Sequence, residues 1–160
     1  RWGKTFKMMT NPKKFLKKKI KKVPKQKEIK RKRAEIKRSE NTDTVHHRRP
    51  LSLDGRDRPW NISKISEEIH TAWTIIAGNM NAEQICNHIN TYFKPRGLTL
   101  VCKFINGRPC IKTGKCGSTD PKVMSYAWKV LFRKYSHFRD KIEFINNVLL
   151  DPAYHFYIRE

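Results

Sequence analysis

Seven lysines stand within ten residues, Lys13, Lys14, Lys17, Lys18, Lys19, Lys21 and Lys22. Ammonium groups at that density do not make or break bonds. They hold phosphate or carboxylate by charge, releasing the counterions that screened both partners. Leu16, Ile20 and Val23 are interleaved with them at helical spacing, and Pro24 closes the segment because it lacks a backbone donor. The stretch is therefore expected to form a short amphipathic helix on an acidic surface. Trp2, Phe6, Met8 and Met9 precede it and could sit at a lipid interface while the lysines meet head groups. The same lysines suit RNA phosphates equally well, so both surfaces stay open at this point.

A second cluster, Lys30, Arg31, Lys32, Arg33, Lys37 and Arg38, fits a nucleocapsid or RNA contact or a nuclear-import patch. A solvated tail with no receptor is its alternative. Of the 160 residues, 36 are Lys or Arg and 14 are Asp or Glu, a net charge of +22. The excess is concentrated in residues 1–50, which carry 20 basic and 4 acidic side chains. Such a balance implies a polyanionic partner.

Other chemistry is hard to assemble. Walker, Gly-x-Ser-x-Gly and His-Glu-x-x-His patterns are missing from the sequence, and no catalytic residue or cofactor is expected. Cys86, Cys102, Cys110 and Cys116 lack a Cys-x-x-Cys pair, so free thiols in a reducing compartment are favoured over a zinc site drawn through His88. His46, His47 and His137 read as ordinary surface histidines. The sequence shows neither a membrane-spanning apolar run nor a signal-peptide pattern, which predicts a protein that is not membrane-spanning and is not exported by that route.

The elements that would position these groups follow from patterning. Residues 1–50 are expected to be a basic flexible arm, and residues 51–160 one small α+β domain: an antiparallel sheet packed with two to four helices. Leu51-Ser52-Leu53 before Asp54-Gly55 reads as a strand entering a turn. Ser63 is placed as the cap of a helix with Ile65, Ile69, Trp73 and Ile76 on one face, and Asn81 with Gln84 opens a second helix bearing Ile85, Ile89 and Phe93. Alternation from Leu98 to Phe104, then Asn106-Gly107, predicts a β-hairpin returning through Arg108 to Lys112, with Pro109 on its edge. Asp120-Pro121 starts a helix containing Val123, Ala127 and Val130. Ser136 is expected to cap the helix of Phe138, Ile142, Ile145 and Leu149, and Tyr154 to Ile158 to form a last strand.

Two blocks then bring a family into view. Arg58-Pro59-Trp60 ahead of a helix carrying Trp73, and Lys134-Tyr135-Ser136-His137-Phe138-Arg139-Asp140-Lys141 ahead of an amphipathic helix, resemble the matrix proteins of rhabdoviruses. Gly97-Leu98-Thr99-Leu100 between them is similar to the opening of that family's central sheet, and the matches together touch about half of the chain. The resemblance implies a viral structural protein that self-assembles as a homo-oligomer beneath the virion envelope. It would condense the viral nucleoprotein–RNA complex and link it to an anionic membrane surface during budding, with the viral glycoprotein tail and host factors as further partners. It also implies a place in the host cytoplasm, at the inner face of cellular membranes and in the nucleus. The segment between Gly78 and Gly97 is shorter than in vesiculoviruses, and Pro-Pro-x-Tyr and Pro-Thr-Ala-Pro budding motifs do not occur in this sequence. A ribosomal or other nucleic-acid-packaging protein with a basic RNA-binding tail is the rival expectation.

Overall fold

A computed structural model describes residues 25–38, 43–92 and 97–159. The lysines from Lys13 to Lys22, the helix expected there and Phe93 lie outside the described residues. Within them the chain is α+β, with five α-helices and two separate two-stranded antiparallel sheets in place of the single sheet expected.

The chain up to residue 50 contributes structure of its own. Helix α1 (Lys25–Arg38) packs on α2 (Glu67–Ala77) and on α4 (Pro121–Phe132), and strand β1 (Asp43–His47) pairs with β2 (Ile62–Ser66), His46 opposite Ser63. Ser63 thus lies in a strand. The cap of α2 is Ser66, whose hydroxyl accepts the Ile69 N–H, and Glu67 and Glu68 occupy the first turn, where their charge opposes the helix dipole. Leu51–Leu53 forms a 3₁₀ turn instead of a strand. The turn expected at Asp54-Gly55 is present, with Asp54 left-handed at φ 64°.

Helix α3 (Ala82–Tyr92) begins on a reciprocal capping box. Gln84 N–H donates to Asn81 Oδ1 at 2.9 Å, and Asn81 N–H to Gln84 Oε1 at 3.0 Å, which satisfies two donors that the helix start leaves free. Asp120 caps α4 through the Lys122 N–H, and Pro121 fills its first position at no hydrogen-bond cost. The next helix, α5 (Phe138–Phe144), has His137 rather than Ser136 at its N-cap and runs into a π-helical turn, Ile145–Leu149, closed by Leu150 N–H to Ile145 O.

The expected hairpin is replaced. Strand β3 (Thr99–Phe104) pairs with β4 (Tyr154–Arg159) at the far end of the sequence, Leu100 opposite Ile158 and Cys102 opposite Phe156. Gly107 does make the turn, at φ 90°, but the chain after it leaves the sheet. Pro109 cannot donate to a ladder, and the Cys110 N–H is taken by the Tyr154 hydroxyl at 2.9 Å. The strand that arrives instead, β4, alternates buried Tyr154 and Phe156 with exposed His155 and Tyr157, so pairing with it covers apolar surface that residues 108–112 do not offer. Residues 112–118 lie over the α2–α3 junction, held by Asn79 N–H to Lys115 O and Ser118 N–H to Ile75 O. A Cβ on Gly114 would come within 1.6 Å of the Asn79 carbonyl oxygen, so only glycine lets the two backbones meet there.

One core joins these parts. Trp73 and Ile76 of α2, Ile85 and Ile89 of α3, Met124 and Leu131 of α4, Leu149 and Phe156 are all buried in it. Full burial of a side chain such as Phe156 stabilises by roughly 1.5–3 kcal/mol.

Candidate polyanion-binding surfaces

The six residues of the second basic cluster all fall on α1. Ile29 is half-buried against the core, and the Arg33 guanidinium lies 4.9 Å from the centre of the Tyr126 ring on α4. With those contacts fixing the inner face, Lys27, Lys30 and Arg31 are exposed. Their spacing of three and four residues puts them on one stripe along the helix. Lys32 is half-buried beside them, and Lys37 and Arg38 belong to the last turn of the helix.

A second basic surface lies on the folded domain. Arg56, Arg58 and Arg108 line an open groove of about 920 Å³ that also takes in Leu51, Trp60 and Ile111. Trp60 is half-exposed and Ile111 is 90% exposed, so apolar tips stand among guanidinium groups. Beneath it, Arg49 forms a buried ion pair with Asp151 at 2.6 Å and donates to the Arg108 carbonyl, fixing the groove wall. Arg49 also shares two hydrogen bonds with buried Asn61, one through its N–H and one through its carbonyl. At the rim Lys112 pairs with Asp54 at 2.8 Å, and its hydrogen bond holds the Asp54 carboxyl below the usual carboxylate range. The sequence does interleave arginine and tryptophan at Arg56, Arg58 and Trp60, but Arg108 joins them only through the fold.

The histidines divide by environment. His46 is buried, contrary to its reading as a surface residue. Its Nε2 meets the Leu149 carbonyl at 2.9 Å, and its ring packs edge-on against His70 at 5.3 Å. Burial lowers its pKa to about 4 against an opposing contribution from the Leu149 hydrogen bond, and His70, His47 and Arg48 add to the lowering. His47 is bonded to Asp57, and His137 is exposed at the start of α5.

Cys86, Cys102, Cys110 and Cys116 are free thiols. Burial pushes the Cys102 thiol up to about 12 and raises Cys86 as well, so neither is a ready nucleophile at neutral pH. The Cys86 thiol lies 3.0 Å from the Leu100 carbonyl. Among the described residues, no group of three or more His, Cys, Asp or Glu side chains is placed to hold a metal ion, and no helix is long and apolar enough to cross a membrane. No protein-family model, curated protein or solved structure matches the chain.

Proposed function

We propose that the chain is a non-enzymatic, matrix-type structural protein of an enveloped negative-strand RNA virus, and that it holds an anionic membrane and a nucleoprotein–RNA complex together while packing on copies of itself. The observation that carries this reading is the docked helix α1. A basic helix seated on a folded domain by Ile29 and Arg33, with Lys27, Lys30 and Arg31 outward, offers a fixed charged face where a free tail would offer a diffuse one. Each Lys or Arg close to an anionic bilayer contributes about 1 kcal/mol, so this stripe together with the seven lysines from Lys13 to Lys22 suffices for reversible docking. The resemblance of the Arg58-Pro59-Trp60 and Lys134–Lys141 blocks to rhabdovirus matrix proteins points to the same role. The Arg56, Arg58 and Arg108 groove supplies a second basic face on the domain, so the two polyanions need not compete for one site.

The same groove favours a second reading, a nucleic-acid-packaging protein. Trp60 among three arginines suits base stacking beside phosphate contact. Mixing the purified chain with phosphatidylserine vesicles and RNA-loaded nucleoprotein coils, then imaging the frozen mixture, separates the two. A protein layer between bilayer and coil is expected; protein confined to RNA beside bare vesicles would overturn the matrix reading in favour of packaging.

A further inference from the structure

Between α3, β3, α4 and α5 lies a cavity of about 490 Å³ that the membrane-bridging account does not use. Its size is in the range of roughly 300–1,000 Å³ common to small-molecule sites. The walls are apolar: Ile89, Leu100, Ile142 and Ile145, with Trp128 and Phe132 stacked at 4.8 Å along one side. The lining that is not apolar is nearly all cationic, Lys129, Arg133 and Lys141, with the Ser125 hydroxyl.

These cations are not equivalent. Arg133 is engaged by Glu68, which accepts both of its terminal nitrogens at 2.8 and 2.6 Å. Lys141 extends over the Phe132 ring at 5.9 Å, and Lys129 is exposed; no carboxylate among the described residues pairs with either. A greasy interior edged by two ammonium groups fits one kind of molecule well. An alkyl chain would fill the interior and desolvate against the aromatic pair, while a carboxylate or phosphate head would meet Lys129 and Lys141 in charge-assisted hydrogen bonds. A neutral or cationic amphiphile would gain the first term and forgo or oppose the second.

We infer that this cavity binds the acyl chain of a single anionic amphiphile, with its head group held by Lys129 and Lys141. The site is separate from the α1 stripe and from the arginine groove, and it stands whether or not the chain is a matrix protein. The shared chemistry, an acyl chain with an anionic head, could be supplied by a free fatty acid or by a lipid drawn from a bilayer.

Trp128 in the cavity wall makes the test direct, because bromine atoms quench indole fluorescence only at close range. The full chain is titrated with a brominated stearate below its micelle concentration and, separately, with vesicles of brominated phosphatidylserine. Both arms are run on a Trp2→Phe, Trp60→Phe background, so that docking of the chain on a vesicle leaves neither of these indoles at the bilayer. Saturable quenching in either arm is then expected, disappearing when Trp128→Phe is added, and the arm that quenches identifies the source. Lys129→Glu, at an exposed position, combined with Lys141→Glu, at a half-buried one, is expected to raise the half-quenching concentration about tenfold or more, with thermal unfolding little changed. Dodecyltrimethylammonium should not displace the stearate. Quenching in neither arm, quenching unchanged by the double charge reversal, or equal competition by the cationic amphiphile would overturn the inference. So would a dimer that forms in the absence of amphiphile and is abolished by filling the cavity with Ile142→Phe, since a second copy would then be the occupant.

Discussion

Asn146 grips Phe156 with both ends of its side-chain amide: Nδ2 donates to the Phe156 carbonyl at 2.9 Å, and Oδ1 accepts the Phe156 N–H at 2.7 Å. The π-helical turn thereby does for β4 what a third strand would do. Asn90 of α3 repeats the arrangement on β3, donating to the Leu100 carbonyl and accepting the Leu100 N–H. A two-stranded ribbon buried against helices would otherwise leave backbone donors and acceptors unpaired on both outer edges.

Replacing Asn146 with Leu keeps the approximate volume and strands both backbone groups of Phe156. A loss of about 2–4 kcal/mol is expected, from two unsatisfied buried groups at 1–3 kcal/mol each less some relaxation. Urea unfolding measures it directly. Asn146→Asp should also destabilise, because a carboxylate accepts but cannot donate to the Phe156 carbonyl.

Glu68 and Arg133 tie the first turn of α2 to the end of α4. Glu68 is almost fully buried while Arg133 is half-exposed. Arg133→Met leaves a buried carboxylate alone and should cost about 3 kcal/mol, the low end for breaking a buried pair, because solvent already reaches the arginine. Combining it with Glu68→Met removes the orphaned charge, and most of that stability should return. A double-mutant cycle by thermal unfolding distinguishes a coupled pair from two independent losses, which would add.

His46 gives the fold a dependence on acid. Its neutral ring donates from Nε2 to the Leu149 carbonyl, a tautomer assigned from the acceptor it meets. The unfolded chain takes up a proton below the ordinary histidine pKa of 6.5, whereas the folded chain resists protonation until about pH 4. Stability is thus present in full above pH 6.5 and drains away between there and pH 4, by an amount on the order of 3 kcal/mol. Burial lowers the pKa of His70 too, in the same direction. His46→Gln should be less stable than the parent at pH 7.5 yet flatter across the interval, as read from melting temperatures at stepped pH.

What could be read in the sequence were the local signals. The Asn81–Gln84 capping box, the Asp120-Pro121 helix start and the alternating last strand depend on residues close together in the chain, and each appears in the fold. The failures share a cause, which is competition from distant partners. Asn106-Gly107 is a sound turn signal and Gly107 does turn, but β4 offers β3 a better apolar face from fifty residues away. Strand β1, with His46 and His47 at its end, has no apolar alternation to mark it, and it pairs with β2 across the Leu51–Asn61 turns. Helix α1 reads as tail because so few of its residues are apolar. Its inner face is built from Ile29 and from an arginine stacked on a tyrosine, a contact visible only once α4 is in place. The arginine groove was hidden for the same reason, Arg108 lying far in sequence from Arg56 and Arg58.

Reversing Lys27, Lys30 and Arg31 to Glu, with Ile29 and Arg33 untouched, tests the central claim that the docked stripe of α1 helps hold the chain to an anionic bilayer. Co-flotation with phosphatidylserine vesicles at low and moderate salt is the measurement. The parent should float at low salt and less at moderate salt, and the triple variant should float markedly less than the parent at both, with its melting temperature little changed. Flotation of the variant equal to that of the parent would contradict the account.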